Sequence, residues 1–448
     1  MVVSGWQTVN IGDVAHSPGV LEAFRRFAPG VRLTLWARNI DDGVRQLLAR
    51  YYPEVALVEE RVGDDGSITP ALERLFGEAD LLVHGSGPSL VGKIETAAWR
   101  AHTHKPYGFF GVTVDPLRPY DGTLERSAAM IDAIAGDLLG PLDRELLTDA
   151  AFVYCRDSLT RRFLQGQGIG VAELEFGADG TVIFDVVDDD HGAPVLAEYG
   201  LVEGQFLCAV PRLRYTPYYK IRGFAPRAED WRKEAYNAGY AESDLDVLRQ
   251  SIISWVRATD LPALIVPEMS YAVELAETRL AGTFPADVRD RVHVLPRFWD
   301  LAEAAAVYRR AAAVVSMECH SPLIALAEGV PSLYLRQPTD TIKGQMYHDL
   351  GLSESIIELT DAAAGEAVER VAKIASDLPA ARDAMARSRI AAYEGLRHHV
   401  EFAVGRVTAL RQAQGTEGQA QGTEGQAQGT EGQARGTGAA GERGADAP

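Results

Sequence analysis

Residues 315–332 read VSMECHSPLIALAEGVPS, and this stretch decides the fold that the sequence predicts. Its apolar, β-branched start is typical of a buried strand, which a polar loop then ends. Ser321 and Pro322 provide an N-cap and a first-turn proline for a helix over Leu323 to Glu328. His320 therefore lies beside a helix N-terminus, where unpaired N–H groups and the helix dipole favour an anion. We expect an imidazole that can transfer a proton next to a site suited to phosphate.

The same alternation of strands and helices covers most of the chain. In the first half the pattern predicts strands at Val31 to Trp36, Leu81 to His84, Tyr107 to Val112 and Phe152 to Cys155, with helices at Gly19 to Phe27, Val44 to Tyr52 and Leu159 to Gln165. In the second half it predicts strands at Phe206 to Val210, Ala263 to Val266, Val292 to Leu295, Ala313 to Ser316 and Ser332 to Leu335. Such alternation predicts an α/β protein with mostly parallel sheets.

An acidic stretch without periodicity, around residues 185–204, separates the two sets of elements and is the expected linker. We predict an amino-terminal Rossmann-like domain over residues 1–190 and a second one over residues 205–410 that includes the terminal helices. Two doubly wound sheets of this kind face each other across a cleft at the carboxyl ends of their strands. Ligands bind in such clefts.

The composition changes at residue 411. From Gln412 a unit of sequence QAQGTEG repeats and then degrades toward Pro448. The seven-residue period does not indicate a coiled coil, because there are no apolar a and d positions and each unit carries two glycines. We predict a disordered tail over residues 411–448, which serves as a solvated spacer or as a docking segment for a partner.

Charge and composition exclude several classes of protein. The net charge of −19 argues against nucleic-acid binding, which requires clustered cations. The three cysteines are far apart and suit free thiols in a reducing compartment. The N-terminus does not resemble a signal peptide, and no segment approaches the roughly 20 apolar residues of a membrane span. We expect a soluble, cytoplasmic protein, whose few apolar residues before the first loop indicate a short first strand or a start placed too late.

Small and polar residues follow the predicted strands of the first half, namely Asn10, Gly12, Asp13, Gly85, Ser86, Gly87 and Arg156. Asn10 and Asp13 either hydrogen-bond the backbone of their own turn or hold sugar hydroxyls. The glycine turn, Gly85 to Gly87, is either structural or a source of backbone N–H groups for a ligand, since a lone glycine pair does not identify a phosphate loop. Arg156 either pairs with Asp157 or belongs to the site.

The second half contributes cations and an acid after its strands. Arg212, Arg214 and Tyr215 directly follow its first strand. Cationic and tyrosine side chains at the mouth of a cleft, in a chain this acidic, favour ligand binding over packing. Glu268 and Lys343 also follow strands, and each is either part of the site or an ordinary surface charge. No cluster with the spacing of metal ligands is visible.

Several of these motifs recur together in a recognisable order. They are Asn10-x-Gly12-Asp13, the glycine turn, Arg156-Asp157-Ser158, Phe176 to Asp179, His320-Ser321 with Gly329-Val330-Pro331, and Lys343 ahead of Asp349 to Leu352. In this order the chain resembles the polysaccharide pyruvyl transferase family, over about residues 5–355. The resemblance implies a glycosyltransferase-B-like pair of Rossmann domains. It also implies transfer of a pyruvyl group from phosphoenolpyruvate onto a saccharide of a cell-surface or exopolysaccharide, as a ketal, with release of phosphate.

One position departs from this family, which usually carries arginine two residues before the histidine. Here that position is Glu318. A carboxylate cannot hold phosphate or carboxylate as a guanidinium does. We expect the chain either to recruit its cations elsewhere, with Arg212, Arg214 and Lys343 as the obvious substitutes, or to act on a different substrate.

A mechanism follows from the resemblance. Adding a sugar hydroxyl to the central carbon of phosphoenolpyruvate requires a proton on its methylene carbon, and His320 is the expected general acid. Asp13 or Glu268 would accept the hydroxyl proton. Phosphate and carboxylate would bind to the helix N-terminus at Ser321 with the three cations, in the second domain, and the sugar would bind to Asn10 and the glycine turn, in the first. We expect no cofactor and no metal ion, and the partners are the donor, the saccharide and peripheral polysaccharide assembly machinery.

Three alternatives remain open from the sequence. A nucleotide-sugar-dependent glycosyltransferase of the glycosyltransferase-B type would share both domains and a helix N-terminus at the donor site. A saccharide-binding member of the family without catalysis would explain Glu318 as a lost donor site. Finally, His320 could be a core histidine that only caps a turn.

Overall fold

The computed structural model describes residues 1–4 and 8–433, without the side chains of residues 42 and 410–433. The strands of the first domain are β1 (Val2–Ser4), β2 (Thr34–Ala37), β3 (Ala56–Val58), β4 (Leu82–His84), β5 (Tyr107–Val112), β6 (Phe152–Cys155) and β7 (Leu174–Phe176). In the described chain they form one parallel seven-stranded sheet, in the order β3-β2-β1-β4-β5-β6-β7. All the residues of β5 and β6 are buried, as expected for parallel strands covered on both faces.

The strands of the second domain are β8 (Leu207–Val210), β9 (Ala263–Ile265), β10 (Val292–Val294), β11 (Ala313–Ser316), β12 (Ser332–Arg336) and β13 (Ile356–Glu358). Among the described residues they form a parallel six-stranded sheet in the order β10-β9-β8-β11-β12-β13. In both sheets the order reverses beside the first strand, between β1 and β4 and between β8 and β11. The predicted pair of doubly wound parallel domains is confirmed.

Helices cover the two faces of each sheet. In chain order up to the second sheet they are α1 (Ile11–Phe27), α2 (Asp42–Tyr51), α3 (Pro70–Glu78), α4 (Lys93–Thr103), α5 (Leu124–Asp132), α6 (Pro141–Thr148), α7 (Ser158–Gly166) and α8 (Asp189–Glu198). They continue with α9 (Tyr218–Arg222), α10 (Ala228–Thr259), α11 (Ala272–Arg279), α12 (Leu301–Arg310), α13 (Ser321–Ala327), α14 (Gln345–Asp349), α15 (Ala363–Ser376) and α16 (Leu378–Gln433). None of the described helices is long and apolar enough to cross a membrane.

The start of α1 differs from the helix predicted from Gly19. The helix begins at Ile11, and the Asn10 side chain caps it by accepting hydrogen bonds from the N–H groups of Gly12 and Asp13. The sequence Ser17-Pro18 is typical of an N-cap with a first-turn proline and favoured a start at Gly19, but both residues lie inside the helix. The earlier cap extends the helix by two turns, and this extension carries the N-terminus of α1 to the second domain.

The acidic stretch predicted as a linker contains a helix. Asp188 caps α8 by accepting hydrogen bonds from the N–H groups of Asp190 and His191. The first-turn acids also favour the positive end of the helix dipole. Gly192 lies directly against Ala306 of α12, so this segment packs on the second domain. The α8 segment shows no apolar periodicity in sequence because its contact with α12 is short and is made by small residues.

The last helix returns from the second domain to the first, although we predicted the terminal helices as part of the second domain. His399 of α16 stacks on Tyr154 of β6, with ring centroids 3.8 Å apart. In the repeat segment predicted to be disordered from residue 411, the structure continues α16 to Gln433. Residues 434–448 lie outside the described residues.

The two domains contact each other where the carboxyl ends of their central strands meet. The N–H of Ile11, at the start of α1, donates to the backbone oxygen of Glu268, which follows β9. Next to it, Asn10 and Met269 form an antiparallel bridge. On the other side of the cleft, the N–H of Gly122 donates to the backbone oxygen of Pro338. The carboxyl-end cleft is therefore closed around the residues that follow β1, β9 and β11.

Candidate active site

The first turn of α1 packs directly against His320, which is the N-cap residue of α13. A Cβ atom built on Gly12 would lie 2.3 Å from Cβ of His320 and 2.5 Å from its Nδ1. Any side chain at position 12 would therefore displace the imidazole. Glycine at this position allows a helix of the first domain and a helix of the second to approach at one histidine.

Glu268 holds His320 in place. Its Oε1 lies 3.4 Å from Nδ1 of His320, and its Oε2 accepts hydrogen bonds from both the N–H and the hydroxyl of Ser321, each at 2.7 Å. Ser321 was predicted as the cap of α13 and as part of a phosphate site, but its N–H donates to this buried carboxylate. Glu268 was predicted as a possible base, yet it is fully buried and both of its oxygens are engaged. It is placed to position His320.

The protonation of this pair follows from burial and charge. Burial raises the pKa of Glu268, but the hydrogen bonds from His320 and Ser321, together with the charge of His320 when it is protonated, lower it more, so its pKa is below its usual value. Burial lowers the pKa of His320, and this effect exceeds the opposing hydrogen bond with Glu268. His320 is therefore neutral at pH 7 in this state, with the proton on Nδ1 facing the carboxylate and a lone pair on Nε2.

A second histidine, His16 of α1, has the same arrangement. Its Nδ1 lies 2.9 Å from Oδ1 of Asp179, and the other oxygen of Asp179 accepts a 2.7 Å hydrogen bond from Arg156. Burial raises the pKa of Asp179, but His16 and Arg156 lower it well below its usual range. Asp179 is thus a carboxylate, to which Nδ1 of His16 donates. Arg156 was predicted to pair with Asp157 or to belong to the site, and it supports His16 through Asp179.

The two imidazoles meet between the domains. Their ring centroids are 4.8 Å apart and their planes are nearly perpendicular. Both residues are only 4% exposed, and Nε2 of each has no hydrogen-bond partner in the described chain. Asp13 lies one helical turn before His16, with Oδ1 3.7 Å from Nε2 of that histidine. The sequence shows no cluster with the spacing of metal ligands, but the fold brings candidate ligand atoms of Asp13, His16 and His320 within 4.8 Å of one another.

Glu318 lies buried beside this centre in a network of charges. Oε2 of Glu318 is 3.2 Å from Nε of Arg212, which also pairs with Asp340. Burial raises the pKa of Glu318 to about 8 in spite of Arg212. Burial also raises the pKa of Asp340, but Arg212 and Lys343 lower it to about 2. Arg212, predicted to bind the donor, is therefore largely neutralised by Asp340.

A comparison with known protein families identifies this chain. The model of the family described as polysaccharide pyruvyl transferase matches residues 10–337, which include His16, Asp179 and His320. The chain belongs to the polysaccharide pyruvyl transferase family. Membership supports a transferase, as the resemblance implied. The pairing of His320 with Asp13 and His16 thus lies at the centre of a pyruvyl transferase family fold.

Solved structures share this fold at low sequence identity. The UDP co-structure of MnaA from S. aureus is 13% identical and has a TM-score of 0.51, and the match covers 91% of this chain and 97% of that one. HepE from Anabaena, in complex with UDP-glucose, is 12% identical with a TM-score of 0.51, covering 92% and 98%. No curated protein matches the chain. These similarities confirm the glycosyltransferase-B-like arrangement and show the fold alone.

Several residues predicted to bind substrate are engaged in the fold of this family member. Asn10 caps α1. In the glycine turn, the N–H of Gly85 donates to Val3 and that of Gly87 donates to Gly111, both through backbone oxygens. The Ser86 hydroxyl donates to the backbone oxygen of Phe110 and accepts from the N–H of Gly180. Of the two interpretations of the glycine turn, the structural one therefore holds. Its hydrogen bonds link β4 to β5 and to the segment after Asp179.

The other predicted cations, Arg214 and Lys343, and the predicted tyrosine, Tyr215, differ in whether their side chains are already engaged by other residues. Arg214 forms a bidentate ion pair with Asp244 of α10 and lies over the ring of Tyr240, so its guanidinium is not available to a donor. The ring of Tyr215 packs edge-on against that of Tyr236, with ring centroids 5.2 Å apart. Lys343 is half-buried and lowers the pKa of His320 as a secondary effect after burial. Among the side chains that the structure describes, its ammonium forms no hydrogen bond or ion pair, although its charge lowers the pKa of Asp340 and of Glu318. Of the three predicted cations, Lys343 is the one left without a direct carboxylate contact.

His16 is the functional candidate that the sequence analysis missed. A signal was present, because residues three apart on a helix share a face and Asp13 and His16 have this spacing. The signal was hidden since the helix was predicted to begin only at Gly19. Asp179 was part of the recognised motif but was not assigned to the site, because nothing in sequence joins it to His16.

A cavity of about 580 Å³ lies far from these residues, at the amino ends of the strands in the first sheet. Apolar residues line much of it, among them Val83 of β4 and, from α16, Val404. Ligands of doubly wound folds bind at the opposite, carboxyl ends. We therefore place the active site at the His16 and His320 pair in the cleft, and not at this cavity.

Proposed function

We propose that the protein transfers a pyruvyl group from phosphoenolpyruvate to a saccharide, forming a ketal and releasing phosphate. Family membership supports the class of reaction. The observation that carries the proposal is the meeting of His320 from the second domain with Asp13 from the first, at the carboxyl ends of both sheets. An acid and a base on opposite sides of a cleft suit the addition of a hydroxyl to a double bond.

The reaction requires two carbon–oxygen bonds to form. The first saccharide hydroxyl adds to the central carbon of the donor, and the methylene carbon gains a proton to become a methyl group. The bond from the central carbon to the phosphate oxygen then breaks. A second hydroxyl of the same saccharide bonds to that carbon, and its proton leaves with the phosphate. The proton lost by the first hydroxyl balances the one gained by the methyl group.

His320 is the proposed proton donor and Asp13 the proposed acceptor. Glu268 keeps the Nδ1 side of His320 occupied, so Nε2 is the nitrogen that faces the cleft. A bound anion next to this ring would favour its protonated form, although burial lowers its pKa in the absence of a ligand. Asp13 has a side chain 14% exposed and is more accessible than Glu268, so we prefer Asp13 as the base. Lys343 would contact the phosphate or carboxylate of the donor.

Substrates would enter while the two domains are apart. Both imidazoles are 4% exposed, and the backbone contacts of Ile11 with Glu268 and of Gly122 with Pro338 close the cleft on two sides. Closure after binding would exclude water, which otherwise competes with the saccharide hydroxyl.

The proposal also includes a cytoplasmic location and a peripheral contact with polysaccharide assembly machinery.

The test is phosphate release from phosphoenolpyruvate with a panel of free and lipid-linked saccharides. Wild-type protein should release phosphate only when a suitable saccharide is present. The variants His320→Ala and His320→Gln should lower the rate about 10²- to 10⁴-fold, as expected for loss of a general acid. His102→Ala, which removes an exposed histidine of α4, is the matched control and should keep the wild-type rate.

A thermal-shift assay separates this proposal from the glycosyltransferase alternative. A ligand at 100 times its dissociation constant stabilises a protein by about 2.7 kcal/mol. Phosphoenolpyruvate should raise the melting temperature. Stabilisation by UDP or GDP, without any effect of phosphoenolpyruvate and without phosphate release, would reject the proposed donor. Saccharide binding with no turnover of any donor would indicate a family member without catalysis.

A further inference from the structure

The ring nitrogens of His16 and His320 show which atoms are available for a ligand. In both residues Nδ1 faces a buried carboxylate, Asp179 for His16 and Glu268 for His320. A carboxylate only accepts hydrogen bonds, so Nδ1 carries the proton and Nε2 of the neutral ring carries a lone pair. Both Nε2 atoms are buried and lack a hydrogen-bond partner among the described residues, and Nε2 of His16 lies 3.7 Å from Oδ1 of Asp13. Buried polar atoms without a partner require an explanation.

The surroundings of the two rings match those of metal-ligating histidines. Such histidines usually donate their second N–H to a carboxylate, which fixes the tautomer and the ring orientation. Here each carboxylate is itself fixed, since Asp179 accepts a hydrogen bond from Arg156 and Glu268 accepts two from Ser321. The two histidines come from different domains, and each has an independent support of the same kind.

A third ligand, the carboxylate oxygen of Asp13, completes the set. Asp13 lies one turn before His16, and the candidate ligand atoms of Asp13, His16 and His320 all lie within 4.8 Å of one another. An ion bound tetrahedrally at about 2.0 to 2.2 Å holds two of its ligands about 3.3 to 3.6 Å apart. Side-chain movements of about 1 Å would therefore bring all three ligand atoms to one ion.

We propose that Asp13, His16 and His320 form a binding site for one divalent transition-metal ion, with zinc as the preferred class. Two imidazole nitrogens and one carboxylate oxygen suit zinc, cobalt or iron better than magnesium or calcium, which prefer oxygen ligands. Three protein ligands leave at least one coordination position open. The ion joins α1 of the first domain to α13 of the second, so its binding favours the closed arrangement of the domains.

The metal site does not rest on the proposed transfer reaction, although it uses Asp13 and His320, which that reaction also uses. An ion on Nε2 of His320 and a proton on the same atom exclude each other. If both proposals hold, zinc binds to the closed protein and inhibits phosphate release from phosphoenolpyruvate. Metal binding is measured directly and turnover separately, so failure of one proposal is distinguishable from failure of the other.

The experiment uses the full-length protein, freed of metal by a chelator and then titrated with Zn²⁺ or with Co²⁺ as a spectroscopic probe. Wild-type protein should retain one equivalent of zinc through gel filtration, and Co²⁺ should give the visible absorption of a site with nitrogen ligands. His16→Ala should weaken binding at least about 100-fold. Glu268→Gln, which leaves all three ligands in place, should weaken it about 10- to 100-fold. His102→Ala is the matched control and should bind like the wild type.

Two outcomes would overturn the proposal. The first is wild-type protein that retains no zinc after gel filtration. The second is a combined His16→Ala and His320→Ala variant that is folded by circular dichroism and still binds one equivalent with wild-type affinity. If the histidine variants do not fold, Asp13→Asn is the test, because it keeps both imidazole rings. Wild-type zinc affinity in both Asp13→Asn and Glu268→Gln would exclude this site.

Discussion

The contact between Gly12 and His320 gives the most direct prediction about stability. Replacing Gly12 by alanine adds one methyl group to the first turn of α1. That carbon would lie 2.3 Å from Cβ of His320 and 2.5 Å from its Cγ, whereas ordinary contacts of a Cβ atom begin near 3.4 Å. One of the two helices must therefore move by about 1 Å. His320 cannot rotate away freely, since Glu268 holds its Nδ1 and His16 packs against its ring.

Extra methyl groups in a well-packed core typically cost 1 to 3 kcal/mol. Because both sides of this contact are backbone-anchored, we expect Gly12→Ala to lower the free energy of unfolding by about 3 kcal/mol and to reduce phosphate release strongly. Urea denaturation followed by circular dichroism measures the first effect. The matched control is Gly239→Ala, in the interior of α10, where an added Cβ meets no atom within 4 Å. This control should raise stability by about 1 kcal/mol.

The two substitutions therefore have opposite signs. If Gly12→Ala is as stable as the wild type and keeps its activity, then α1 and His320 are not in contact in solution, and the site described here does not exist in that form. A decrease in stability in both variants would instead indicate a general intolerance of alanine at helical glycines.

Three further predictions concern other parts of the fold. Burial raises the pKa of Asp157 from 3.8 to about 7, so between these pH values the folded protein binds one proton more than the unfolded chain. The free energy of unfolding should therefore fall as the pH rises through this window, by on the order of 4 kcal/mol at most. Urea unfolding at about pH 4 and about pH 8 measures this fall, and it should be smaller in Asp157→Asn. Gly19→Ala would place a carbon 1.9 Å from the backbone oxygen of Gly180, so we expect a loss of about 3 kcal/mol or more in the same assay, and wild-type stability would contradict that packing. Glu268→Gln should lower kcat about 10-fold or more while KM for phosphoenolpyruvate changes less than about threefold, because Glu268 orients His320; a change in KM alone would assign Glu268 to substrate binding.

Much of the fold could be predicted because buried parallel strands leave a clear pattern in sequence. Strands β5, β6 and β11 have the predicted limits. The strands β3, β7 and β13, which have three residues each and lie at the edges of the two sheets, were not predicted. Pro18 misplaced the start of α1, because proline usually marks a first turn whereas here it lies inside the helix.

Less of the site could be predicted, because its chemistry depends on which partners the fold brings together. His320 and Asp13 were recognised from their position after strands, and both lie at the centre. Glu268 was recognised as an acid of the site, but its role changes once it is seen to accept hydrogen bonds from Ser321. Arg212 and Arg214 appeared available in sequence, since their carboxylate partners lie on distant segments.

The central claim is that the chain converts phosphoenolpyruvate and a saccharide into phosphate and a pyruvyl ketal. The most direct measurement is mass spectrometry of the saccharide, after incubation with isotope-labelled phosphoenolpyruvate, together with the phosphate released in the same sample. We predict equal amounts of phosphate and labelled ketal, and neither product with His320→Ala. Phosphate release without a labelled saccharide, or a labelled ketal formed equally well by His320→Ala, would contradict the account.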